Sequence, residues 1–482
     1  MLTPRSLDTS ESTAVLHPVE AEDTLPHVAV DARCQPRTAA YLILALQYQS
    51  PLAGSSRLDI SDLDEVIIGR GAKLCQRQTI AQGRVTLHVS APDAWMSTHH
   101  VRLQRVGHRW ILMDLGSTNG TLVNGQRTAR ASLVDGDQLE VGNTMFLFRD
   151  GVRHGSDIRL PQHADELLQG PTAMATFSPS LQGELQKLLK FTEAHIPLLL
   201  HGESGTGKEL VARMIHEHSK RPGEFVAVNC GALPESLIES ELFGCRRGAF
   251  SGAVQDRPGL IRSAHKGTFF LDEIGELPEA SQAALLRVLQ EREVVPIGEV
   301  TPIQVNIRVV SATHRNLWEQ VEQGTFRKDL YARLSGFEIT LPPLRERRED
   351  LGLLITSILR RLCGGAAPGL TLQPDAARAL FAYDWPLNIR ELQQVLSVAV
   401  TLADGKSIGL DHLPRRLRNQ TVTSPERLPV DHEERETCTQ LIALLAEHQG
   451  NISAVSRVMG KARVQIRRMC KRYSIDAGGF RR

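Results

Sequence analysis

The chain has 482 residues, 41% hydrophobic and 23% charged, with a net charge of +1; this length allows about three domains, each able to bury its own core. No window approaches the roughly 18 uninterrupted apolar residues of a membrane span, and the acidic start (Glu11, Glu20, Glu22, Asp23) argues against a signal peptide. Seven scattered cysteines without a C-x-x-C pair argue against a disulfide framework or zinc site and for reduced thiols, hence a cytoplasmic location without membrane contact.

Residues 1–35 are polar and unpatterned and are expected to form a disordered extension. From Tyr41 onward short apolar runs follow one another: Val66–Ile68, Val85–Val89, Val101–Leu103, Trp110–Met113, Leu139–Val141 and Met145–Phe148. Asn124-Gly125 and Asp135-Gly136 between such runs predict hairpins, since both residue types tolerate positive φ. Together these features predict a β-sandwich over 36–151.

The pattern then changes. A helical stretch (Leu181, Leu185, Leu188, Leu189), the apolar run Ile196–Leu200, and further strands at Gly267–Leu271 and Ile307–Ala312 alternate with helices such as Glu279–Glu291. This predicts an α/β domain with a mostly parallel sheet and a helical tail, over 165–403. Residues 404–430, with two prolines in Thr421–Pro429, are read as a linker, and 431–482 as short helices.

Gly202-Glu203-Ser204-Gly205-Thr206-Gly207-Lys208 follows a strand and opens a helix, the setting of a phosphate-binding loop. Its backbone N–H groups and the helix dipole suit phosphates, with Lys208 reaching the β- and γ-phosphates. Glu209 stands where the general pattern has a hydroxyl residue. The acidic pair Asp272-Glu273 ends a buried strand; Asp272 suits Mg²⁺ and Glu273 suits polarising the attacking water.

From these motifs the resemblance is to the AAA+ domain of sigma-54-dependent bacterial enhancer-binding proteins. The form GESGTGKE is shared, as are Glu241–Gly244, Gly248–Ala253, Gly324–Tyr331, Leu341–Arg347 and Tyr383–Leu392. The resemblance implies that Asn229 restrains Glu273 until the nucleotide state changes. It implies that Arg327 and Arg333 are arginine fingers completing a neighbour's site, and that Arg390 links the lid to the phosphates. Thr313 and His314 fall at the first sensor, where the family usually has Thr-Asn; a histidine there would make turnover pH-dependent. Leu387 replaces a family glycine next to Arg390 and is expected to alter lid geometry. Gly248, Ala249, Phe250, Ser251, Gly252 and Ala253 resemble the loop that touches sigma-54, with Ser251 in place of threonine.

In the front region Gly69-Arg70, Ser97-Thr98-His99-His100 and Gly116–Thr121 resemble the signature blocks of forkhead-associated (FHA) domains, which read phosphothreonine peptides. The resemblance implies phosphate contacts from Arg70, Ser97, Thr98 and Thr118, a peptide contact from Asn119, and a bracing role for His100. Lys73–Ala94 reads as an insertion. At the rear, Glu433–His448 shows one apolar face; Gly450-Asn451 opens a second helix, Met459-Gly460 forms a turn, and Ala462–Tyr473 a third helix. These elements resemble a Fis-type helix-turn-helix. Lys461–Arg472 holds six basic residues and no acid, and Arg463, Arg467, Arg468, Lys471 and Arg472 are the expected DNA contacts.

The expected protein is thus multidomain: an FHA β-sandwich, an α/β AAA+ P-loop ATPase with a helical lid, and an all-α helix-turn-helix. The implied cofactors are ATP and Mg²⁺. The implied partners are sigma-54 RNA polymerase, enhancer DNA, a phosphothreonine protein or Ser/Thr kinase, and further copies of itself, from dimer to hexameric ring. Two competing readings are a DNA-binding regulator using ATP only for assembly, and a phosphopeptide-binding scaffold with weak ATPase activity.

Overall fold

Eight successive residues, Ala39 to Leu46, are all buried, and a strand apolar at every position needs cover on both faces. In the computed structural model, which describes residues 37–154, 163–168, 174–192, 194, 196–249, 254–364, 369–418, 440–441 and 443–472, that strand has such cover. The extension 1–35, the residues Phe250, Ser251, Gly252 and Ala253, the stretch 421–430 and the start of the rear region lie outside the described residues.

The sandwich begins with β1 (Arg37–Gln47), β2 (Ser56–Asp59), β3 (Glu65–Arg70), β4 (Cys75–Ala81), β5 (Arg84–Ala91) and β6 (Val101–Val106). It continues with β7 (Arg109–Asp114), β8 (Thr121–Val123), β9 (Gln126–Thr128), β10 (Arg130–Ser132), β11 (Gln138–Val141) and β12 (Thr144–His154). One sheet has the order β2-β1-β12-β11-β8-β9 and the other β10-β7-β6-β3-β5-β4. Leu42, Leu44, Phe146 and Phe148 point between the sheets, among Val66, Ile68, Leu103 and Trp110.

Asn124-Gly125 closes the β8–β9 hairpin as expected, with φ of 51° and 75°. Asp135-Gly136 does not close a hairpin: β10 and β11 belong to different sheets, so this turn crosses the sandwich. Its Asp137 carboxylate accepts from Val134 N–H at 2.9 Å and from Asn124 Nδ2 at 2.8 Å, which turns the chain between layers. The Lys73–Ala94 segment is an ordered hairpin in which β5 runs parallel to β3 and antiparallel to β4.

The α/β core has strands β13 (Leu198–His201), β14 (Phe225–Asn229), β15 (Thr268–Asp272), β18 (Arg308–Thr313) and β19 (Phe337–Thr340); β16 (Glu293–Val294) and β17 (Ile303–Gln304) form a small separate hairpin. The five form a parallel sheet in the order β14-β15-β18-β13-β19. Both faces of the sheet are covered, Phe269 and Leu271 on one side and Phe270 on the other. The predicted helix Glu279–Glu291 forms over those residues.

The lid consists of helices Leu351–Leu362, Pro374–Ala382 and Asn388–Leu402. Residues 404–418, expected to begin a linker, belong to it instead. Ser407–Ile408 pairs with Thr371–Leu372, and Leu413 and Leu417 are buried in the lid core.

The outer face of β1 and β12 carries Ile43, Ala45, Leu46, Met145 and Leu147 into that same lid core. Helix Leu351–Leu362 lies directly on β1; a Cβ at Gly352 would sit 1.9 Å from the Ala45 carbonyl oxygen. Thr356 Oγ1 donates to the Pro51 carbonyl at 2.9 Å, and Arg360 to the Leu52 carbonyl at 2.8 Å. Arg149 pairs with Glu349, and Arg378 with Glu140 at 2.8 Å. A continuous apolar core edged by charge-assisted hydrogen bonds joins sandwich and lid.

In the rear region Leu441, Leu445, Val455, Ile466 and Cys470 form a small core of their own. Asn451 caps helix Ile452–Val458 by accepting from the Ser453 and Ala454 N–H groups. Gly460, at φ 63°, makes the turn into helix Arg463–Arg472.

Candidate functional site

The phosphate loop leaves the carboxyl end of β13, which lies between β18 and the edge strand β19, and open α/β sheets bind ligands outside the carboxyl ends of their strands. Helix Lys208–His218 starts directly after it. Gly205 has φ 78°, and a Cβ there would lie 2.2 Å from the Leu387 carbonyl oxygen of the lid, so only glycine permits this approach. Lys208 is buried and donates to the Gly202 carbonyl at 2.8 Å and the Glu203 carbonyl at 3.3 Å. Glu209 pairs with Arg213 on the exposed side of the helix at 2.7 Å. Its carboxylate is therefore engaged there, and what it offers a phosphate is a first-turn backbone N–H.

Asp272 ends β15 beside Asn229 at the end of β14. Burial, then the neighbouring Glu273 charge, push the Asp272 carboxyl above its ordinary range, against the pull of Lys208. Oxygen donors of this kind suit a divalent magnesium ion, which would restore the ionised form. Glu273 adopts φ 53°, a left-handed conformation that a non-glycine residue holds only under constraint. His314 Nδ1 lies 2.5 Å from one Glu273 carboxylate oxygen, and Lys208 Nζ 3.7 Å from the other.

Asn229 was expected to restrain Glu273. Its side-chain oxygen instead accepts from the Gly231 and Ala232 N–H groups at 3.0 and 3.1 Å, closing its own turn, while His314 is the side chain hydrogen-bonded to Glu273. Thr313 Oγ1 accepts from the Arg315 N–H at 3.0 Å.

The lid closes the other side. Arg390 donates to Ser204 Oγ at 2.9 Å. Asn388 donates to Glu203 at 3.1 Å and to the Ser204 carbonyl at 3.0 Å. Arg345 grips Glu203 with its two terminal guanidinium nitrogens, at 2.9 and 2.6 Å, and Arg347 donates to the Thr206 carbonyl at 2.9 Å. Arg345, Arg347 and Asn388 were not singled out from the sequence, although each lies inside a quoted motif. Leu387 has φ −104°, which any residue adopts, so its replacement of glycine strains nothing. Between core and lid lies a cavity of about 660 Å³ lined by Glu203, Ser204, Asn229, Glu273, Glu276 and His314, among others. Arg327 and Arg333 do not line it; Arg327 pairs with Asp329 at 2.7 Å and Arg333 donates to the Leu289 carbonyl at 3.2 Å.

Of the Gly248–Ala253 block, Gly248 and Ala249 lie among the described residues. Just before them, Arg246 is held between Asp256 at 2.7 Å and Glu299 at 2.8 Å.

At one end of the sandwich, Arg70 closes β3 while Ser97, Thr118 and Asn119 come together. Ser97 Oγ accepts from Thr118 N–H at 3.2 Å, and Asn119 Nδ2 donates to the Trp95 carbonyl at 2.8 Å. Thr98 is exposed beside them, and its carbonyl approaches Gly69 so closely that a Cβ would lie 1.8 Å away. His100 is fully buried; its Nδ1 accepts from Ser97 N–H at 3.0 Å and its Nε2 faces the Gly120 carbonyl at 3.3 Å. Burial depresses its pKa, keeping the neutral tautomer that this pair of bonds requires. Asp114 was missed from the sequence. Burial raises its pKa, but hydrogen bonds from Ser117, Thr121 and Gly116 outweigh that and hold it ionised as the organiser of the Gly116–Thr121 turn. An aspartate two residues before a glycine was the available signal.

On helix Arg463–Arg472, Arg463, Arg467 and Arg468 are exposed, and Ile466 and Cys470 face the core. The side chains of Lys471 and Arg472 lie outside the described residues. Val455 fills the core, and Ser456 Oγ donates to the Lys461 carbonyl at 2.6 Å.

A phosphate loop, an acidic pair at the end of the strand two places away in the same sheet and a lid arginine on the loop define an AAA+ ATPase. Comparison with known proteins extends this. Residues 174–340 match the sigma-54 interaction domain, 345–429 the AAA+ ATPase lid domain and 66–142 the FHA domain. The Escherichia coli K12 transcriptional regulatory protein GlrR is 39% identical over 311 residues, covering 64% of this chain and 70% of that one. The regulatory protein AtoC of the same organism is 41% identical over 311 residues, covering 62% and 68%. A crystal structure of NtrX from Brucella abortus in complex with ADP is 30% identical, with 64% of this chain and 72% of that one covered and a TM-score of 0.47. The chain belongs to the sigma-54-dependent enhancer-binding transcriptional regulators. No helix among the described residues is long and apolar enough to cross a membrane.

Proposed function

We propose that the protein activates transcription by hydrolysing ATP as a ring to remodel sigma-54 RNA polymerase, under control of a phosphothreonine signal read by its FHA domain. In this reading ATP sits in the cavity between core and lid. The N–H groups from Gly202 to Glu209 surround the phosphates, Lys208 neutralises the β- and γ-phosphates, and Arg390 senses them from the lid. Asp272 would hold Mg²⁺, which supplies charge neutralisation when bound. Glu273, held by His314 before nucleotide arrives, then polarises the attacking water.

The observation that carries the ring is the position of Arg327 and Arg333, exposed and outside their own cavity. Each suits a neighbour's γ-phosphate, and an arginine supplied in trans stabilises transition-state charge. Hydrolysis would drive the Gly248–Ala253 loop, with Phe250 and Ser251, against sigma-54. The basic helix, with Arg463, Arg467, Arg468, Lys471 and Arg472, would hold the assembly on enhancer DNA. Arg70, Ser97, Thr98, Thr118 and Asn119 would bind the phosphothreonine peptide, its dianion meeting a guanidinium and hydroxyl donors.

Phe250→Ala tests the central step. ATP hydrolysis by the variant is expected to match wild type while activation of a sigma-54 promoter is lost; retained activation would overturn the remodelling role.

A further inference from the structure

The FHA sandwich uses two surfaces. Its peptide-side loops carry Arg70, Ser97, Thr118 and Asn119, while the outer face of β1 and β12 lies on the lid. Hydrogen bonds connect them without a break. Asn119 donates to the Trp95 carbonyl at 2.8 Å, and Trp95 N–H donates to one oxygen of the Asp93 carboxylate at 2.9 Å. The other oxygen accepts from Asn143 N–H at 2.6 Å and Thr144 Oγ1 at 2.9 Å. The Asn143 carbonyl accepts from Tyr48 N–H at 2.8 Å, and the Tyr48 carbonyl accepts from Leu372 N–H of the lid at 2.7 Å. The Tyr48 hydroxyl donates to Glu140 at 3.2 Å, and Arg378 of the lid holds Glu140 through its Nε at 2.8 and 2.9 Å.

Asp93, Tyr48 and Glu140 are all buried, so water competes little for their bonds, while the first link from Asn119 to Trp95 is exposed. The packing has no slack: a Cβ at Gly142 would lie 2.8 Å from the Asp93 carboxylate and 2.9 Å from Met96 N, next to Ser97. Across the lid, Arg378 lies on helix Pro374–Ala382, and the following helix carries Asn388 and Arg390 onto the phosphate loop.

We propose that Asp93 and Tyr48 are positioning residues that couple the phosphothreonine loops to the lid, so that a phosphopeptide and an adenine nucleotide alter each other's affinity. This rests on the FHA loops binding phosphothreonine. A phosphate seated on Ser97 and Arg70 competes for the bonds that set the Ser97–Asn119 arrangement, and the displaced Trp95–Asp93 segment pulls on the Asn143 turn and Tyr48. A nucleotide that draws Arg390 and Asn388 inward pulls on the same chain from the other end. Thermodynamic linkage makes the two effects equal in size.

The test uses the full chain, a fluorescent mant-ADP probe and one phosphothreonine peptide selected on wild type from a library. Saturating peptide is expected to change the mant-ADP Kd by about fivefold or more, and saturating ADP to change the peptide Kd by the same factor. In Asp93→Asn, which cuts the path before it branches, each ligand still binds but the factor falls to within about twofold of one. Arg378→Ala and Tyr48→Phe cut only the side-chain branch and keep the Tyr48 carbonyl–Leu372 bond, so each lowers the factor part of the way; thermal melts confirm each variant is folded. A wild-type factor of one with both ligands bound, or a factor unchanged in the folded variants, overturns the coupling alone. Failure of any phosphothreonine peptide to bind wild type overturns the FHA reading, and the coupling with it, while mant-ADP binding shows the nucleotide site is intact.

Discussion

Removing the Arg149 guanidinium is expected to loosen the FHA–lid contact more at pH 8 than at pH 5. The Glu349 side chain is 6% exposed and faces Arg149 from β12, with Asp350 and Arg347 beside it. Burial pushes its carboxyl up to about 7; Arg149 pulls it down and Asp350 raises it again. An acid whose folded pKa exceeds its unfolded value binds more protons when folded. Its contribution is therefore full below the unfolded value, and about 3 kcal/mol is lost as pH rises to the folded one. Arg149→Ala removes the main counter-charge, so the Glu349 carboxyl is pushed up further and holds its proton to higher pH. At pH 5 it is protonated with or without Arg149, and the cost is that of a lost hydrogen bond, about 1 kcal/mol. Because wild-type Glu349 ionises only near 7, linkage lets the cost grow by at most about 1.4 kcal/mol between pH 5 and pH 8. One kcal/mol corresponds to about 2–4 °C for domains of this size. Thermal melts should therefore drop by a few degrees at pH 5 and by about 3–6 °C more at pH 8. Equal drops at both pH values, or a larger one at pH 5, would refute the reasoning.

Other outcomes follow from the same geometry. Gly205→Ala places a Cβ 2.2 Å from the Leu387 carbonyl in a left-handed conformation, so the lid must retreat and mant-ADP affinity should fall about tenfold or more; unchanged affinity would show that this lid contact is dispensable. His314→Ala frees Glu273, and steady-state kinetics should show kcat reduced about tenfold or more with KM little changed. His314→Asn keeps a donor and should recover most of that loss, while a fall in both variants alike would remove the hydrogen bond from the account. Arg70→Ala should abolish selective phosphothreonine-peptide binding to the full chain, and retained binding would place the phosphate elsewhere.

Much of this was legible in the chain because single motifs specify backbone shape. The run Gly202–Lys208 announces its loop through three glycines before a lysine, and Gly267–Leu271 announces a strand buried on both faces. Helix Glu279–Glu291 is readable from its own periodicity. Asp135-Gly136 misled because a turn signal states that the chain reverses, not which sheet receives it. The lid's continuation past Ala403 was hidden because Ile408, Leu413 and Leu417 are separated by polar residues and find their core only in three dimensions. The FHA–lid contact had a signal that was passed over: Ala39–Leu46 is apolar without alternation, whereas a strand with one wet face alternates. The role expected of Asn229 came from resemblance, and the His314 side chain that replaces a family asparagine now occupies the position next to Glu273.

Purified sigma-54 polymerase on a sigma-54 promoter offers the most direct test of the central claim. Open-complex formation should require this protein with hydrolysable ATP, and should fail with a non-hydrolysable analogue or with Glu273→Gln, which still binds nucleotide. Full promoter opening with the analogue, or by Glu273→Gln, would contradict the account and show that ATP serves only assembly.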